Sequence, residues 1–284
     1  MVFITFALFV ALPINAISKD YTYKVIYPGA VEISRSEYVL DVLQLALGYS
    51  EYQFELKGSG GHFPTPRNFR FLAKQQEINL LWTSTSIERE KDFLAIRIPL
   101  LKGLLGLRLP MVLSSRKQRF NIRSLPQLKQ FTAGQLQSWV DAKVLKHNKL
   151  QVTGSPTYPA LFKMLAAERF DYFPRAITEI WQEIENTPEL PLAVADGFAL
   201  YYPTAMYFFV NKANYFLHDE LNKGLNKAIR DGSFDKLFYQ YHRQFIEKSQ
   251  LQQRNIIILD NPFMPQDSPF ERKELWLDVT QKGN

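Results

Sequence analysis

The sequence predicts an α/β protein built mostly from parallel sheet. Short segments rich in β-formers alternate along the chain with segments whose apolar residues recur at helical spacing. The first part of the chain follows the order β-α-β-α-β, which favours parallel strands joined by right-handed crossovers. A chain of 284 residues is long enough for one large domain or two of ordinary size.

The early elements have clear boundaries. Residues 21–27 alternate and end at Pro28-Gly29, which predicts a first strand. The spacing in 35–47 predicts a helix that stops at Gly48. The same criteria predict a strand at 52–56, a helix at 67–76 and a strand at 78–82.

The later elements repeat the alternation. Strands are predicted at 131–136, 150–153, 170–173, 192–195 and 198–210. Helices are predicted to start at Ser138 and to cover 158–168, 178–185, 219–229 and 231–245. The tail, 251–284, contains two more apolar segments and is predicted to dock on the rest of the protein.

Composition excludes several classes of function. Hydrophobic residues make up 46% of the chain and charged residues 22%, which is ordinary for a soluble globular protein. The net charge is +6, but the 34 basic residues are scattered, so a nucleic-acid groove is not predicted. Because the chain has no cysteine, disulfides, thiol catalysis and cysteine-ligated zinc are excluded. No cofactor and no metal site are predicted.

The N-terminus is typical of an export signal. Residues 1–16 are apolar and uncharged and end in Ala16, after a helix-breaking Pro13. This run is shorter than the ~20 residues of a spanning helix, and it predicts a signal peptide over 1–18, although it lacks a basic start. No later segment is as long as a membrane span, so we expect a periplasmic protein that does not span the membrane once processed.

One segment, 78–90, predicts a ligand site. A buried strand runs into a hydroxyl-rich turn, and Thr83, Ser84 and Arg89 then lie beyond its carboxyl end. Ligands of open α/β sheets bind in the crevice at that end. Hydroxyls and a guanidinium suit a small carboxylate, since the guanidinium can bond to both oxygens. The alternative is a helix N-cap cluster followed by a surface arginine.

Catalytic motifs are absent from the sequence. The four histidines are isolated, and neither a zinc-protease motif nor a nucleophile elbow occurs. The glycine-rich segment 58–61 lacks the lysine of a phosphate-binding loop. Glu179 and Glu183 share a predicted helix face, where solvated carboxylates are common. We therefore do not predict an enzyme.

Three segments in order resemble the solute-binding protein family 3, the amino-acid-type periplasmic receptors. They are the turn at 83–89, the S-L-x-x-L segment at 124–128 and the A-x-x-D-G-x-x-x-x-L segment at 228–237. The resemblance covers about residues 20–246 and implies a two-lobed type II periplasmic-binding-protein-like fold, each lobe a mostly parallel sheet flanked by helices. It places lobe one at 19–108 plus 204–284, lobe two at 109–203, and two crossing segments between them.

The resemblance also implies where a ligand binds. In the family, a hydroxyl and an arginine hold the ligand carboxylate, here the hydroxyls of 83–84 and Arg89. Arg175 and Glu179 are expected to face Arg89 across the cleft. The family's amino-binding aspartate falls near Ala176, so Glu179 is the substitute, and Arg175 suggests an anion with two acidic ends. For Arg175 the alternative is a surface salt bridge.

Aromatic residues complete the predicted site. Trp139 and Tyr158 follow strands of lobe two, and Tyr27 ends the first strand of lobe one, so each is placed to stack on a ligand. Core packing is the alternative for each ring.

The resemblance implies an extracytoplasmic solute-binding protein that captures a small polar or anionic ligand, amino-acid-like or a carboxylate. Hinge bending at the two crossings would close the lobes on the ligand, and a membrane importer or a sensor would be the partner. Two alternatives remain: an enzyme on the same fold, such as a dehydratase or a peptidoglycan-active protein, and a protein-interaction module without a ligand.

Overall fold

The computed structural model describes residues 21–29, 33–61 and 63–279. The predicted signal peptide, 1–18, lies outside the described residues and stays a prediction. No helix in the described part of the chain is both long enough and apolar enough to cross a membrane.

Strands and helices alternate along the chain as the sequence predicts. The sheets are mixed and not mostly parallel: among the described strands, three pairings are parallel and five are antiparallel. The strands are β1 Thr22–Tyr27, β2 Gln53–Gly58, β3 Leu81–Ser84, β4 Leu94–Ile96, β5 Leu107–Leu113, β6 Thr132–Leu136, β7 Gln151–Ser155, β8 Phe173–Ala176, β9 Leu192–Val194, β10 Phe198–Tyr201, β11 Met206–Val210 and β12 Asn255–Ile258. The helices are α1 Ile33–Leu47, α2 Thr65–Lys74, α3 Ile87–Asp92, α4 Leu125–Leu128, α5 Val140–His147, α6 Tyr158–Ala166, α7 Ile180–Glu185, α8 Tyr215–Arg230 and α9 Ser233–Ser249.

The first lobe is a sheet covered by helices. Strands β1 and β2 pair in parallel, and β3 and β4 flank β11 in antiparallel register. The amides of Asn79 and Leu80 bond to the carbonyl of Ile26 and join the two parts. Helices α1, α8 and α9 pack on one another against this sheet. The carboxyl ends of β1 and β3 thus lie side by side, as expected from the β-α-β-α-β order.

The second lobe is centred on β5, a fully buried strand. β5 pairs with β8, β9 and β10, and β12 adds to the free edge of β10. β6 and β7 pair in parallel, and the amide of Gly134 bonds to the carbonyl of Tyr172 to attach them next to β8. Helices α5, α6 and α7 pack around these strands. The carboxyl ends of β6 and β8 and the start of α5 lie together.

The C-terminal tail contacts both lobes. The sequence predicts that 251–284 belongs to lobe one, yet β12 pairs with β10 of the second sheet. Beyond it, Met264 and Trp276 pack in a cluster with Leu72 and Ile78 of the first lobe. Since a short apolar strand can add to any open sheet edge, its pairing was not predictable from its own sequence. The exact lobe boundaries stay a prediction.

Three local predictions differ from the structure. Thr83 and Ser84 lie within β3, and Arg89 lies in helix α3 instead of a turn. The strand predicted at 170–173 begins at Phe173, so Arg175 is part of it and is not exposed after it. The long strand predicted at 198–210 is two strands, β10 and β11, which belong to different sheets.

Candidate functional site

Four predicted residues lie at the carboxyl edge of the first sheet, and we call them the first-lobe group: Tyr27, Thr83, Ser84 and Arg89. Tyr27 ends β1, and Thr83 and Ser84 end β3. Arg89 lies in the first turn of α3, and its amide donates to the N-cap hydroxyl of Ser86 over 3.3 Å. The predicted alternative, an N-cap cluster, is therefore also present, and the cap fixes where Arg89 stands.

The guanidinium of Arg89 is half-buried and lacks a carboxylate partner among the described residues. It donates to the carbonyl oxygen of Ser84 and lies 3.5 Å from the hydroxyl of Thr83. Its other neighbour is the ring of Phe69, whose centre is 5.3 Å away. Burial lowers the pKa of Arg89, and the neighbouring Glu88 offsets part of that effect. A partly desolvated cation without a counter-charge favours an anion.

The other four predicted residues lie together in the second lobe, and we call them the second-lobe group: Trp139, Tyr158, Arg175 and Glu179. The guanidinium of Arg175 lies 5.0 Å from the Trp139 ring centre and 5.4 Å from that of Tyr158. It donates to Glu179 over 2.5 Å. These residues come from β8 and from the starts of α5, α6 and α7, so strand ends and helix starts meet here.

Arg175 is enclosed and fully paired. Its side chain is 4% exposed, and its Nε donates to Glu183 over 2.7 Å in addition to the bond to Glu179. Tyr158 donates to the same Glu183 carboxylate over 2.6 Å. Burial alone lowers the pKa of Arg175, but the two carboxylates outweigh it and raise the pKa. Because glutamates hold this guanidinium, the structure does not support Arg175 as a second anion site, nor is Arg175 a surface salt bridge.

A second buried network adjoins the first. Arg108, in β5, bonds to Asp141 over 2.7 Å and to the hydroxyl of Tyr202 over 3.0 Å, and Tyr202 donates to Asp141. Burial alone lowers the pKa of Arg108, but the charge of Asp141, followed by smaller effects of Tyr202 and Glu179, raises it above its ordinary value. Sequence reasoning missed this network. The available signal was a lone arginine in the otherwise apolar strand LRLPMVL.

The arginines of the second lobe are bonded to acidic side chains. Arg108 and Arg175 bond to the three carboxylates of Asp141, Glu179 and Glu183. The first lobe therefore presents Arg89, which has no carboxylate partner among the described residues, and the second lobe presents acidic side chains.

The start of α3 in the first lobe and helix α5 in the second lobe are close enough for their charges to interact, and we call the space between them the gap. The pKa of exposed Glu88, in α3, is lowered by hydrogen bonds from its own backbone and from Ser86, and additionally by the charge of Lys143 in α5. Lys143 belongs to the second lobe, so the start of α3 and the exposed face of α5 lie within electrostatic range of each other.

The other grooves of the described part of the chain lie away from the first-lobe and second-lobe groups. Two grooves lie on the outer face of the first lobe, along α1, α8 and α9, and contain residues such as Asp41 and Glu220. In the described ranges, no three or more histidine, aspartate or glutamate side chains come together as metal ligands. We assign the candidate site to the first-lobe and second-lobe groups.

No protein-family model matches the chain, and no curated protein matches it. Solved structures do. A probable amino-acid ABC transporter extracellular-binding protein, ytmK from Bacillus subtilis, is 17% identical with a TM-score of 0.57, and the match covers 78% of this chain and 97% of that one. AbpA of Streptococcus pneumoniae, an amino acid ABC transporter substrate-binding protein bound to L-arginine, is 17% identical with a TM-score of 0.51, over 79% and 96% of the chains.

A third similar structure is the VFT2 domain of Bordetella pertussis BvgS, at 16% identity and a TM-score of 0.54 over 78% of this chain and 93% of that one. Sequence identities this low establish the fold alone. The structural matches confirm the prediction of two α/β lobes: the chain has the two-lobed α/β fold of the amino-acid-type substrate-binding proteins.

Proposed function

We propose that this chain is an extracytoplasmic solute-binding protein that captures a small amino-acid-like ligand between its lobes. The observation that carries the proposal is the guanidinium of Arg89, which is half-buried, beside Thr83 and Ser84, and without a carboxylate among the described residues. The solved structures of similar fold bear the names of binding proteins, which supports binding without turnover.

The anionic end of the ligand is assigned to the first-lobe group. A carboxylate placed on Arg89 can accept two parallel N–H bonds, and the hydroxyl of Thr83 is close enough to the guanidinium to share the ligand. The neighbouring rings of Tyr27 and Trp82, whose centres are 5.6 Å apart, provide an apolar wall.

The cationic end is assigned to the second-lobe group. Since Arg108 and Arg175 are held by carboxylates, no cation of these networks is left to attract a second anion. The carboxylates of Asp141 and Glu179 instead favour an ammonium group. A zwitterion therefore fits both sides better than the dianion that the sequence suggested at Arg175.

The test is a ligand screen on protein that has been unfolded and refolded to remove any co-purified molecule. Thermal shift followed by calorimetry would compare zwitterionic amino acids, dicarboxylates and amines without a carboxylate. We expect zwitterions to raise the melting temperature. Arg89→Ala should weaken binding by roughly 30-fold or more, because losing one partner of a desolvated pair costs about 2–5 kcal/mol.

Arg67→Ala is the matched control. Arg67 is an exposed arginine of α2 that stacks 4.2 Å from the centre of the Phe63 ring, so its loss should leave affinity unchanged. The proposal fails if no compound of the three classes binds, or if Arg89→Ala binds as tightly as the unmodified chain. If amines that lack a carboxylate bind and the other compounds do not, the site is assigned to the second lobe alone.

The location and partner are part of the proposal. The apolar, uncharged residues 1–16 support export, and the importers named for the similar structures support an importer as partner, with a sensor as the other possibility. Mass spectrometry of the native protein should find an N-terminus after Ala16 or Ser18. A protein that retains Met1 in its native compartment would contradict export.

A further inference from the structure

We propose that the C-terminal tail is a strap that limits the opening of the two lobes. We define the strap as residues 250–279, which leave α9 of the first lobe, add β12 to the second sheet, and return to the first lobe. The inference concerns the motion of the ligand-free protein and does not depend on which ligand binds.

The strap is anchored to the second lobe by main-chain pairing and a buried arginine. The four residues of β12 pair in parallel with the four of β10. Arg254 is 9% exposed, and its Nε donates to the carbonyl of Ser249 over 2.6 Å. The same guanidinium donates to the carbonyls of Ala195 and Phe198. One side chain therefore joins the end of α9 to the loop that precedes β10.

A second anchor lies on α5, the helix whose first turn carries Asp141 of the candidate site. Asn148, which ends α5, exchanges two hydrogen bonds with the backbone of Asp260: its Nδ2 donates to the carbonyl over 2.8 Å and its Oδ1 accepts from the amide over 3.0 Å. Asn261 then donates to the carbonyl of Pro203 over 2.7 Å, in the connection between β10 and β11, which we call the second crossing segment. The strap thus touches both a site helix and a crossing.

The return anchor lies on the first lobe and on the connection between β4 and β5, which we call the first crossing segment. The amide of Leu277 bonds to the carbonyl of Lys102 over 2.8 Å, and Nζ of Lys102 bonds to the carbonyl of Glu274 and to Asp235 of α9, each over 2.6 Å. Trp276 packs so closely on Gly103 that a Cβ there would lie 2.8 Å from the indole. Leu275 is fully buried in the main core.

These contacts bear directly on the hinge. With two crossings, bending requires changes in only a few backbone dihedrals. Here the strap crosses between the lobes twice more and is bonded to both original crossings, so any opening must also strain or break its hydrogen bonds. The contact between Lys248 of α9 and the ring of Trp181 in α7, 4.5 Å apart, adds a further tie between the lobes. A large apolar interface restricts domain motion in the same way.

The absence of native cysteine makes a distance measurement possible. Glu88→Cys and Lys143→Cys, both exposed and on opposite sides of the gap, would carry two spin labels for double electron–electron resonance. We expect a single narrow distance distribution in the ligand-free chain. Adding Asn148→Ala and Asn261→Ala should move part of the population to longer distances, because the side-chain hydrogen bonds between Asn148 and Asp260 and between Asn261 and Pro203 are lost.

Trp276→Ala releases the other end of the strap and should produce the same shift. Asn226→Ala is the matched control, since among the described residues this half-buried asparagine of α8 makes its side-chain bonds within its own helix, to Asn222. Each variant is measured at a temperature at which its circular dichroism matches that of the labelled parent. The strap is refuted if the parent already shows a broad distribution, or if both sets of variants keep the parent's narrow one.

Discussion

Arg175 and Glu183 form a buried ion pair in the second lobe: Nε of Arg175 donates to Glu183 over 2.7 Å, and the two side chains are 4% and 7% exposed. Glu179 bonds to the same guanidinium. The rings of Trp139, Tyr158 and Phe173 enclose it, with the Phe173 centre 4.9 Å from the guanidinium carbon. This pairing converts a residue that the sequence suggested as an anion site into part of the wall of the site.

We expect Arg175→Met to destabilise the protein strongly. The substitution leaves two glutamates without their cation in a water-poor environment, and breaking a buried pair in this way costs about 3–5 kcal/mol. Urea denaturation followed by circular dichroism measures the change in the free energy of unfolding.

The matched control is Arg272→Met. Arg272 pairs with Glu274 over 2.9 Å, and the two side chains are 40% and 51% exposed, so we expect a loss of about 1 kcal/mol or less. Equal losses in the two variants would show that burial does not set the strength of the Arg175 pair.

The fold was largely predictable from the sequence, because apolar periodicity and turn residues are local signals. The end of β1, and with it Tyr27, was located in this way, whereas β3 ends at Ser84, two residues later than predicted. The network of Arg108, Asp141 and Tyr202 was not, since its bonded members lie 61 and 94 residues apart along the chain. Contacts between distant segments depend on how the sheets assemble, and no local pattern encodes them.

The pairing of Glu179 and Glu183 with Arg175 was not predictable from the sequence, for the same reason. The spacing of Glu179 and Glu183 predicted a solvated helix face. In the structure these glutamates face a strand arginine that only tertiary packing brings near them. Periodicity identifies the helix, while the neighbouring strand decides which of its faces is buried.

His242 should make stability depend on pH. It is 7% exposed and lies between the rings of Tyr38 and Phe238, and neither ring nitrogen has a partner among the described residues. Burial lowers the pKa of His242 from 6.5 to about 4. The unfolded chain therefore binds a proton near pH 6.5, and the folded chain binds it only near pH 4.

The direction of the pH dependence of stability follows from these two pKa values. The unfolded state holds more protons between pH 6.5 and 4, so the contribution of His242 is fully present above 6.5 and is lost as the pH falls to about 4. The loss is on the order of 3 kcal/mol at about 1.4 kcal/mol per pKa unit. Urea titrations at several pH values should show a shallower acid loss in His242→Leu. Parallel curves for the two proteins would contradict this prediction.

Gly224 is expected to tolerate no side chain. It lies where α8 crosses α1, and a Cβ there would be 1.9 Å from the carbonyl oxygen of Ala46. Gly224→Ala must push two helices apart, and overpacking of this kind costs about 1–3 kcal/mol. Gly60→Ala is the control, because a Cβ at that position meets nothing within 4 Å. Thermal unfolding should show a lower melting temperature for the first variant and no loss for the second.

Arg89→Lys separates charge from geometry in the first-lobe group. A lysine keeps the positive charge but presents a single ammonium, which cannot bond to both oxygens of a carboxylate in the fixed geometry of a guanidinium. We therefore expect the affinity of Arg89→Lys for a zwitterionic amino acid to lie between those of the unmodified chain and Arg89→Ala. The stability of all three should be similar, since Arg89 has no ion pair among the described residues whose loss would leave a charge behind. Calorimetry and urea denaturation on the three proteins measure both quantities. If the affinity of Arg89→Lys is as low as that of Arg89→Ala, the planar geometry of the guanidinium dominates binding. If its affinity equals that of the unmodified chain, the positive charge alone is sufficient and the assignment of two parallel hydrogen bonds is wrong.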